Sequence, residues 1–130
     1  MVCFDSDILI AASRNDKAAM SKIQEADMAG QSRTVTPITI TELYKGAFKS
    51  GSKENVEKAE ELFGFLEVIQ YDFDAAREAG RIFALLKQGG NKIGDMDTII
   101  GAIALRHNET LLTRNTKHFG KIPGLKVEKW

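Results

Sequence analysis

Short runs suited to strands recur along this chain, and most are separated from the next by a stretch long enough for a helix. They are Val2–Phe4, Thr34–Thr36, Val68–Gln70, Thr110–Thr113 and Lys126–Glu128. This alternation constrains the fold more than any other feature. Strands joined by helical crossovers pair in parallel, and a parallel sheet has to be covered by helices on both faces. The expected class is therefore α/β, a single domain spanning residues 1–130 around a central parallel sheet. In such sheets a ligand sits beyond the carboxyl ends of the strands, so the polar residues that follow each run are where chemistry is to be sought.

The intervening segments carry helical spacing. From Asn15 to Ala29 the residues Ala19, Met20, Ile23, Ala26 and Met28 recur at near-helical intervals, and Gly30 stops the run. Thr39–Ala47 suits a helix with Ile40, Leu43, Tyr44 and Ala47 on one side. Ser50-Gly51-Ser52 breaks it, and Glu54–Leu66 resumes as a charged amphipathic helix. Asp72 or Asp74 can cap a helix through Ala75, Ala79, Ile82, Phe83 and Leu86 that ends at Gly89-Gly90. A further helix runs from about Met96 to His107. After Asp5, Ile8–Ala12 is apolar again.

Composition narrows the setting. With 130 residues, 43% hydrophobic and 28% charged, the chain has the make-up of one folded domain rather than a disordered segment. Its single cysteine, Cys3, forms no intrachain disulfide and reads as a small buried hydrophobe, which fits a reducing compartment. The start, MVCFDSDILI, lacks the features of a secretory leader, and no apolar run approaches the roughly 20 residues of a membrane span; a cytoplasmic protein is expected. Eighteen basic residues balance eighteen acidic ones, so no global field marks a nucleic-acid partner.

The residues at the expected strand ends are mostly acids. Asp5 follows the first apolar run, where a buried carboxylate needs either a turn to cap or a cation to hold. Glu42 lies about one turn into a helix, where it either complements the helix dipole or reaches a ligand, and Thr39 or Thr41 can supply capping hydroxyls. Asp95 and Asp97 open a helix of small apolar residues, with Asp95 placed as an N-cap and Asp97 in the first turn. Gly101, Ala102 and Ala104 imply close packing of that helix on the sheet. Asn115 follows the fourth run, as a turn residue or as a partner for water on an ion. Asp5, Glu42, Asp97 and Asn115 all fall where an α/β fold would bring them to one edge. Hard oxygen donors without a Cys/His cluster suit Mg²⁺ or Mn²⁺ rather than zinc.

Four motifs in order then resemble the PIN-domain ribonucleases, and among them the VapC toxins of toxin–antitoxin pairs, over essentially the whole chain. They are Phe4-Asp5-Ser6 leading into Ile8-Leu9-Ile10; Thr41-Glu42-Leu43 with Gly46; Asp97 running through Gly101-Ala102 to Leu105; and Leu112-Thr113-Arg114-Asn115 with His118-Phe119, then Ile122-Pro123-Gly124-Leu125. The resemblance implies that Asp5, Glu42 and Asp97 coordinate Mg²⁺ or Mn²⁺. It also implies that Ser6 orients a water of the ion and that Asp95 is an auxiliary acid. Thr113 and Asn115 are auxiliary, and Asn115 stands where many relatives carry a further Asp. It implies an RNA substrate, a cognate antitoxin and a homodimer, to which the Glu54–Leu66 helix can contribute. Arg114, Lys117, Lys45 and Lys49 flank the motifs as candidate phosphate contacts, whereas His107 and His118 read as structural or surface residues.

Two rivals remain at this point. A haloacid-dehalogenase-type phosphatase would use Asp5 as nucleophile and Asp7 as general acid, although Glu42 then has no part. A degenerate PIN module would bind RNA or protein without cleaving.

Overall fold

All five strands run parallel, in the order β3-β2-β1-β4-β5. The computed structural model describes residues Met1–Trp130. In chain order the elements are β1 (Val2–Phe4), α1 (Ser6–Ser13), α2 (Lys17–Met28), β2 (Arg33–Val35), α3 (Pro37–Lys49) and α4 (Lys53–Phe63). These are followed by β3 (Glu67–Val68), α5 (Phe73–Gln88), α6 (Asp95–Arg106), β4 (Thr110–Leu112), α7 (Thr116–Phe119) and β5 (Lys126–Glu128). The chain builds outward from β1 through β2 to β3, then crosses over to add β4 and β5 on the other side. The direction of winding thus reverses between β1 and β4, and it is beyond the carboxyl ends of the strands at such a reversal that α/β sheets bind ligands.

Alternation along the short strands sends side chains to two separate cores. Val2, Phe4, Val35 and Leu112 face one side and pack with Ile8 and Leu9 of α1, Ala19 and Ala26 of α2, and Leu43 of α3. Cys3 and Leu111 face the other and meet Ala79, Ile82 and Leu86 of α5 and Ile100 and Ile103 of α6. Both faces of the sheet are covered, as the alternation of runs requires. Cys3 is fully buried and burial pushes its thiol up to about 12, so it is inert packing material. No helix is long and apolar enough to cross a membrane.

The structure corrects several boundaries, each for a local reason. Ile8–Ala12 belongs to a helix, α1, whose N-cap is Asp5. Lys17, not Asn15, starts α2, because Asn15 takes φ of 61° and Asp16 caps through Ala19 N–H. Thr36 leaves the second strand to cap α3, donating no ladder bond but accepting from Thr39 N–H at 3.1 Å, with Pro37 at the first helical position. Neither Thr39 nor Thr41 caps; Thr41 Oγ1 donates back to Pro37 O at 3.1 Å. Asp72 rather than Asp74 caps α5. Gly94 is the cap position of α6, so Asp95 is its first helical residue and makes no cap bond. Thr113 lies just past β4, and α7 is a short helix that the sequence pattern did not signal.

The small residues of α6 pack as expected, with one specific partner. A Cβ at Gly101 would run into Ile122 Cδ1, and Leu125 Cδ2 is also close. The glycine lets the Ile122–Leu125 turn seat directly on the helix and delivers the chain into β5.

Candidate active site

Two ladder bonds carry the sheet past its formal ends around β4. Asp5 N–H donates to Leu112 O at 3.1 Å, and Thr113 N–H donates to Glu128 O at 3.0 Å. Since Phe4 pairs with Leu112, and Leu112 with Glu128, the next residues Asp5 and Thr113 fall side by side at the carboxyl edge. Thr113 Oγ1 donates to Asp5 Oδ2 at 2.7 Å, while Asp5 Oδ1 accepts from Ser6 N–H at 2.8 Å. Asp5 is therefore held at both oxygens while only 5% exposed. The residue that caps α1 is also the acid at the carboxyl edge of the sheet.

Around it stand Asp7, Glu42 and Asp97. Burial pushes the Asp5 carboxyl up to about 6, opposed by the Thr113 hydroxyl and reinforced by the negative charges of Asp7 and Asp97. Burial likewise pushes Glu42 up to about 7, with repulsion from Asp5, Asp97 and Asp7 adding to it and Lys45 partly offsetting it. Glu42 sits beyond the first turn of α3, which carries no acid, so complementing the helix dipole is not its role. Its Oε1 is buried with no hydrogen-bond partner. A lone carboxylate oxygen in that position is costly unless a proton or cation reaches it.

These residues fit a divalent cation. The donors are all hard oxygens, and Glu42 Oε1 lacks a partner. No three acid, histidine or cysteine side chains are already drawn together as a closed cage. An ion that keeps several waters and takes one or two carboxylates, as Mg²⁺ does, needs no such cage.

The other sequence candidates fall into groups. Thr113 is central, as the donor to Asp5 and the acceptor of Asn115 N–H at 3.0 Å. Asn115 directs its side-chain amide to His118 Nδ1 at 3.1 Å, and His118 Nδ1 lies 3.6 Å from Asp97 Oδ2. His118 is thus a neighbour of the acidic cluster rather than a detached surface residue, a relation visible only once α7 is folded against the start of α6. His107 is structural, its Nε2 2.9 Å from Gln70 O. Ser6 starts α1 beside Asp5. Lys117 is exposed on α7, Lys49 is exposed in the last turn of α3, and Lys45 is close enough to act on the charge of Glu42. Asp95 is exposed and instead lines a cavity with Phe83, Leu86, Lys87, Lys92 and Ile93.

Asp7 was singled out only as a phosphatase acid, and the structure gives it a different setting. It accepts from Arg114 N–H at 2.8 Å and from Trp130 Nε1–H at 3.0 Å, and its Oδ2 lies 3.1 Å from the Thr113 hydroxyl oxygen. One oxygen is thus engaged by the indole and the other by the backbone that follows Thr113. The partners of Asp7 come from the far end of the chain, so spacing could not have found them.

A family model for the PIN domain matches residues 2–125. The chain belongs to the PIN-domain family. Among curated relatives, this PIN protein is 36% identical over 97 residues, 74% of each chain, to the tRNA(fMet)-specific endonuclease VapC of Salmonella typhimurium. It is 30% identical over 128 residues, 97% of this chain and 95% of the relative, to the protein of the same name from Shigella flexneri. Among solved structures, VapBC2 from Rickettsia felis, bound to a DNA fragment from its promoter, superposes with a TM-score of 0.92 at 28% identity, over 100% of this PIN chain and 99% of that one.

Proposed function

We propose that this PIN protein is a VapC-type endoribonuclease, working with Mg²⁺ or Mn²⁺ held by Asp5, Glu42 and Asp97, and controlled by a cognate antitoxin. The observation that carries the reading is the partnerless, buried Oε1 of Glu42, facing a cluster that holds both Asp5 and Glu42 well above the usual carboxylate range. Relatives named as VapC ribonucleases supply the reaction class, and structural neighbours that are VapBC complexes supply the antitoxin. Self-association as a homodimer belongs to the same proposal.

A bound divalent ion supplies Lewis acidity and lowers the pKa of water. The chain supplies the rest. Thr113 and Ser6 N–H fix the two oxygens of Asp5, so this acid need not reorganise when it is used. Glu42 contributes an acceptor free of other bonds. Lys45, Arg114 and Lys117 are positioned to contact phosphate, giving a local positive rim on a chain of zero net charge. Asp95, facing the other cavity, is left outside this machinery.

The test is cleavage of labelled tRNA and of a structured messenger fragment, with and without Mn²⁺, by wild type, Asp5→Ala and Asp97→Ala. Transfer RNA is included because relatives are named for it. Metal-dependent cutting by wild type, reduced at least ~10²-fold in both variants, is expected. A folded wild type that binds RNA but never cuts would replace this reading with a binding module. Release of an aryl phosphate with intact RNA would replace it with a phosphatase.

A further inference from the structure

The pairing of β4 with β5 reaches beyond the strands themselves. Leu112 pairs with Glu128, so two residues further on, on the same face, Arg114 lies opposite Trp130. The structure bears this out: the Arg114 guanidinium carbon stands 3.6 Å from the centre of the Trp130 ring system. The indole makes a second contact, since its Nε1–H donates to Asp7 Oδ1 at 3.0 Å. The other oxygen of Asp7 accepts from the backbone N–H of that same Arg114 at 2.8 Å, and lies 3.1 Å from the Thr113 hydroxyl that is bonded to Asp5.

The result is a closed circuit: Trp130 to Asp7, Asp7 to the Arg114 backbone, and the Arg114 side chain back onto Trp130. It touches Asp5 through Thr113. None of its members has to be a metal ligand for the circuit to matter. Asp7 lies in the first turn of α1, where nothing else fixes its rotamer. Trp130 is half-buried against the core that holds Phe4, Ile8 and Leu112, which backs the ring with packed apolar groups.

We infer that Trp130 and Asp7 are positioning residues: Asp7, oriented by the indole, fixes the backbone N–H of Arg114 and so holds the preceding Thr113 beside Asp5, while the indole face holds the Arg114 guanidinium at the rim for a phosphate of the RNA. The inference rests on the ribonuclease reading for the identity of that phosphate, but not for the circuit itself. Two outputs are linked here that a ligand-only view would keep apart. One is the orientation of the acid that takes the cation, which depends on the indole N–H. The other is the placement of the phosphate contact, which depends on the indole face. A guanidinium stacked on an aromatic ring keeps its N–H edge free for a phosphate oxygen, so the stack orients Arg114 without using up its donors.

The variants separate the two outputs. Trp130→Phe keeps a ring under Arg114 and leaves every charge in place, while removing the indole N–H that Asp7 Oδ1 accepts. It is expected to weaken Mn²⁺ binding, followed by the electron paramagnetic resonance of free Mn²⁺, by roughly 10-fold, with KM for RNA nearly unchanged. Arg114→Ala is expected to raise KM and leave Mn²⁺ affinity as in wild type. Trp130→Ala should do both, and its thermal unfolding reports any loss of packing, which Trp130→Phe avoids.

An independent reading comes from the Trp130 indole N–H resonance, unambiguous because the chain has a single tryptophan. It should exchange slowly with solvent in wild type and rapidly in Asp7→Ala. If wild type neither binds Mn²⁺ nor cuts RNA but the indole proton is protected by Asp7, the ribonuclease reading fails and the circuit stands. If wild type binds and cuts while Trp130→Phe is indistinguishable from it in Mn²⁺ affinity, or if the indole proton exchanges as freely as in a peptide, the inference is overturned and the function is untouched.

Discussion

Thr113 Oγ1 donates to Asp5 Oδ2 at 2.7 Å, although 108 positions separate the two residues along the chain. The bond counters the burial that pushes the Asp5 carboxyl upward. Thr113 has one proton to give, so Asp5, at the shorter distance, takes it in preference to Asp7. Replacing the hydroxyl by a methyl in Thr113→Val keeps the buried shape and deletes the donor. A hydrogen bond to a charged group contributes ~1.5–3 kcal/mol, and lost partners of metal-binding groups cost about 10–100-fold in metal affinity. Thr113→Val should therefore bind Mn²⁺ at least ~10-fold more weakly, and Thr113→Ser should recover most of the loss. Titration calorimetry checks this, and equal affinities for Val and wild type would show that the hydroxyl does not orient Asp5.

The acids of the site should make stability depend on pH and on cations in a defined direction. Asp5 and Glu42 are raised to about 6 and about 7 in the folded chain, above the ordinary values of about 4 in an unfolded one. The folded state thus retains protons on them that the unfolded chain has released. Their contribution favours folding fully below about pH 4 and is lost as pH rises through about 6 to 7. Glu42→Gln, neutral throughout, should gain thermal stability relative to wild type as pH climbs through that window. Saturating Mg²⁺ should narrow the gap at neutral pH, because an ion bound only by the folded form stabilises it. A difference between the two melting curves that stays flat with pH would contradict the assigned environment of Glu42.

What could be read from residue pattern alone follows from how local each signal is. Val2–Phe4 ending in Asp5 was visible because an apolar run that stops at an acid needs only adjacent residues to be recognised. Lys126–Glu128 was placed correctly for the same kind of reason. By contrast, α1 escaped because its eight residues are apolar on nearly every side, which blurs any helical period, and because its cap is the acid that drew attention for another reason. Asp7, Trp130 and His118 acquire their roles only from contacts across the sheet edge or between α6 and α7, and no spacing encodes those. The order of the strands, with β1 between β2 and β4, is likewise a tertiary fact.

Asp95 and Asp97 are two residues apart, yet the fold gives them different surroundings. Asp97 raises the carboxyls of Asp5 and Glu42 and neighbours His118. Asp95 is exposed at the first position of α6, beside Lys92 and Phe83. Asp97→Asn should reduce RNA cleavage by ~10²-fold or more and weaken Mn²⁺ binding. Asp95→Asn should leave both within a few-fold of wild type, losing at most a small dipole interaction with the helix start. Equal losses in the two variants would place Asp95 in the metal site after all.

Gly101 tests how the scaffold behind the site is held. A methyl group there meets Ile122 Cδ1, and Ile122 is itself only 2% exposed, so its side chain has no free space to move into. The collision lies between α6, which carries Asp97, and the turn leading into β5, beyond which lies Trp130. Helix propensity pulls the other way, since alanine in a helix interior is favoured over glycine by about 1 kcal/mol. Overpacking a filled core costs typically ~1–3 kcal/mol, which should win in a contact this close. Gly101→Ala is thus expected to be destabilised by roughly 1–2 kcal/mol net in urea unfolding. Ile122→Val, which removes the very Cδ1 that collides, should let the propensity gain reappear, so the double variant should be more stable than Gly101→Ala alone. If Gly101→Ala instead raises stability by the full propensity difference, Ile122 can turn aside and the glycine is not what seats the β5 turn on α6.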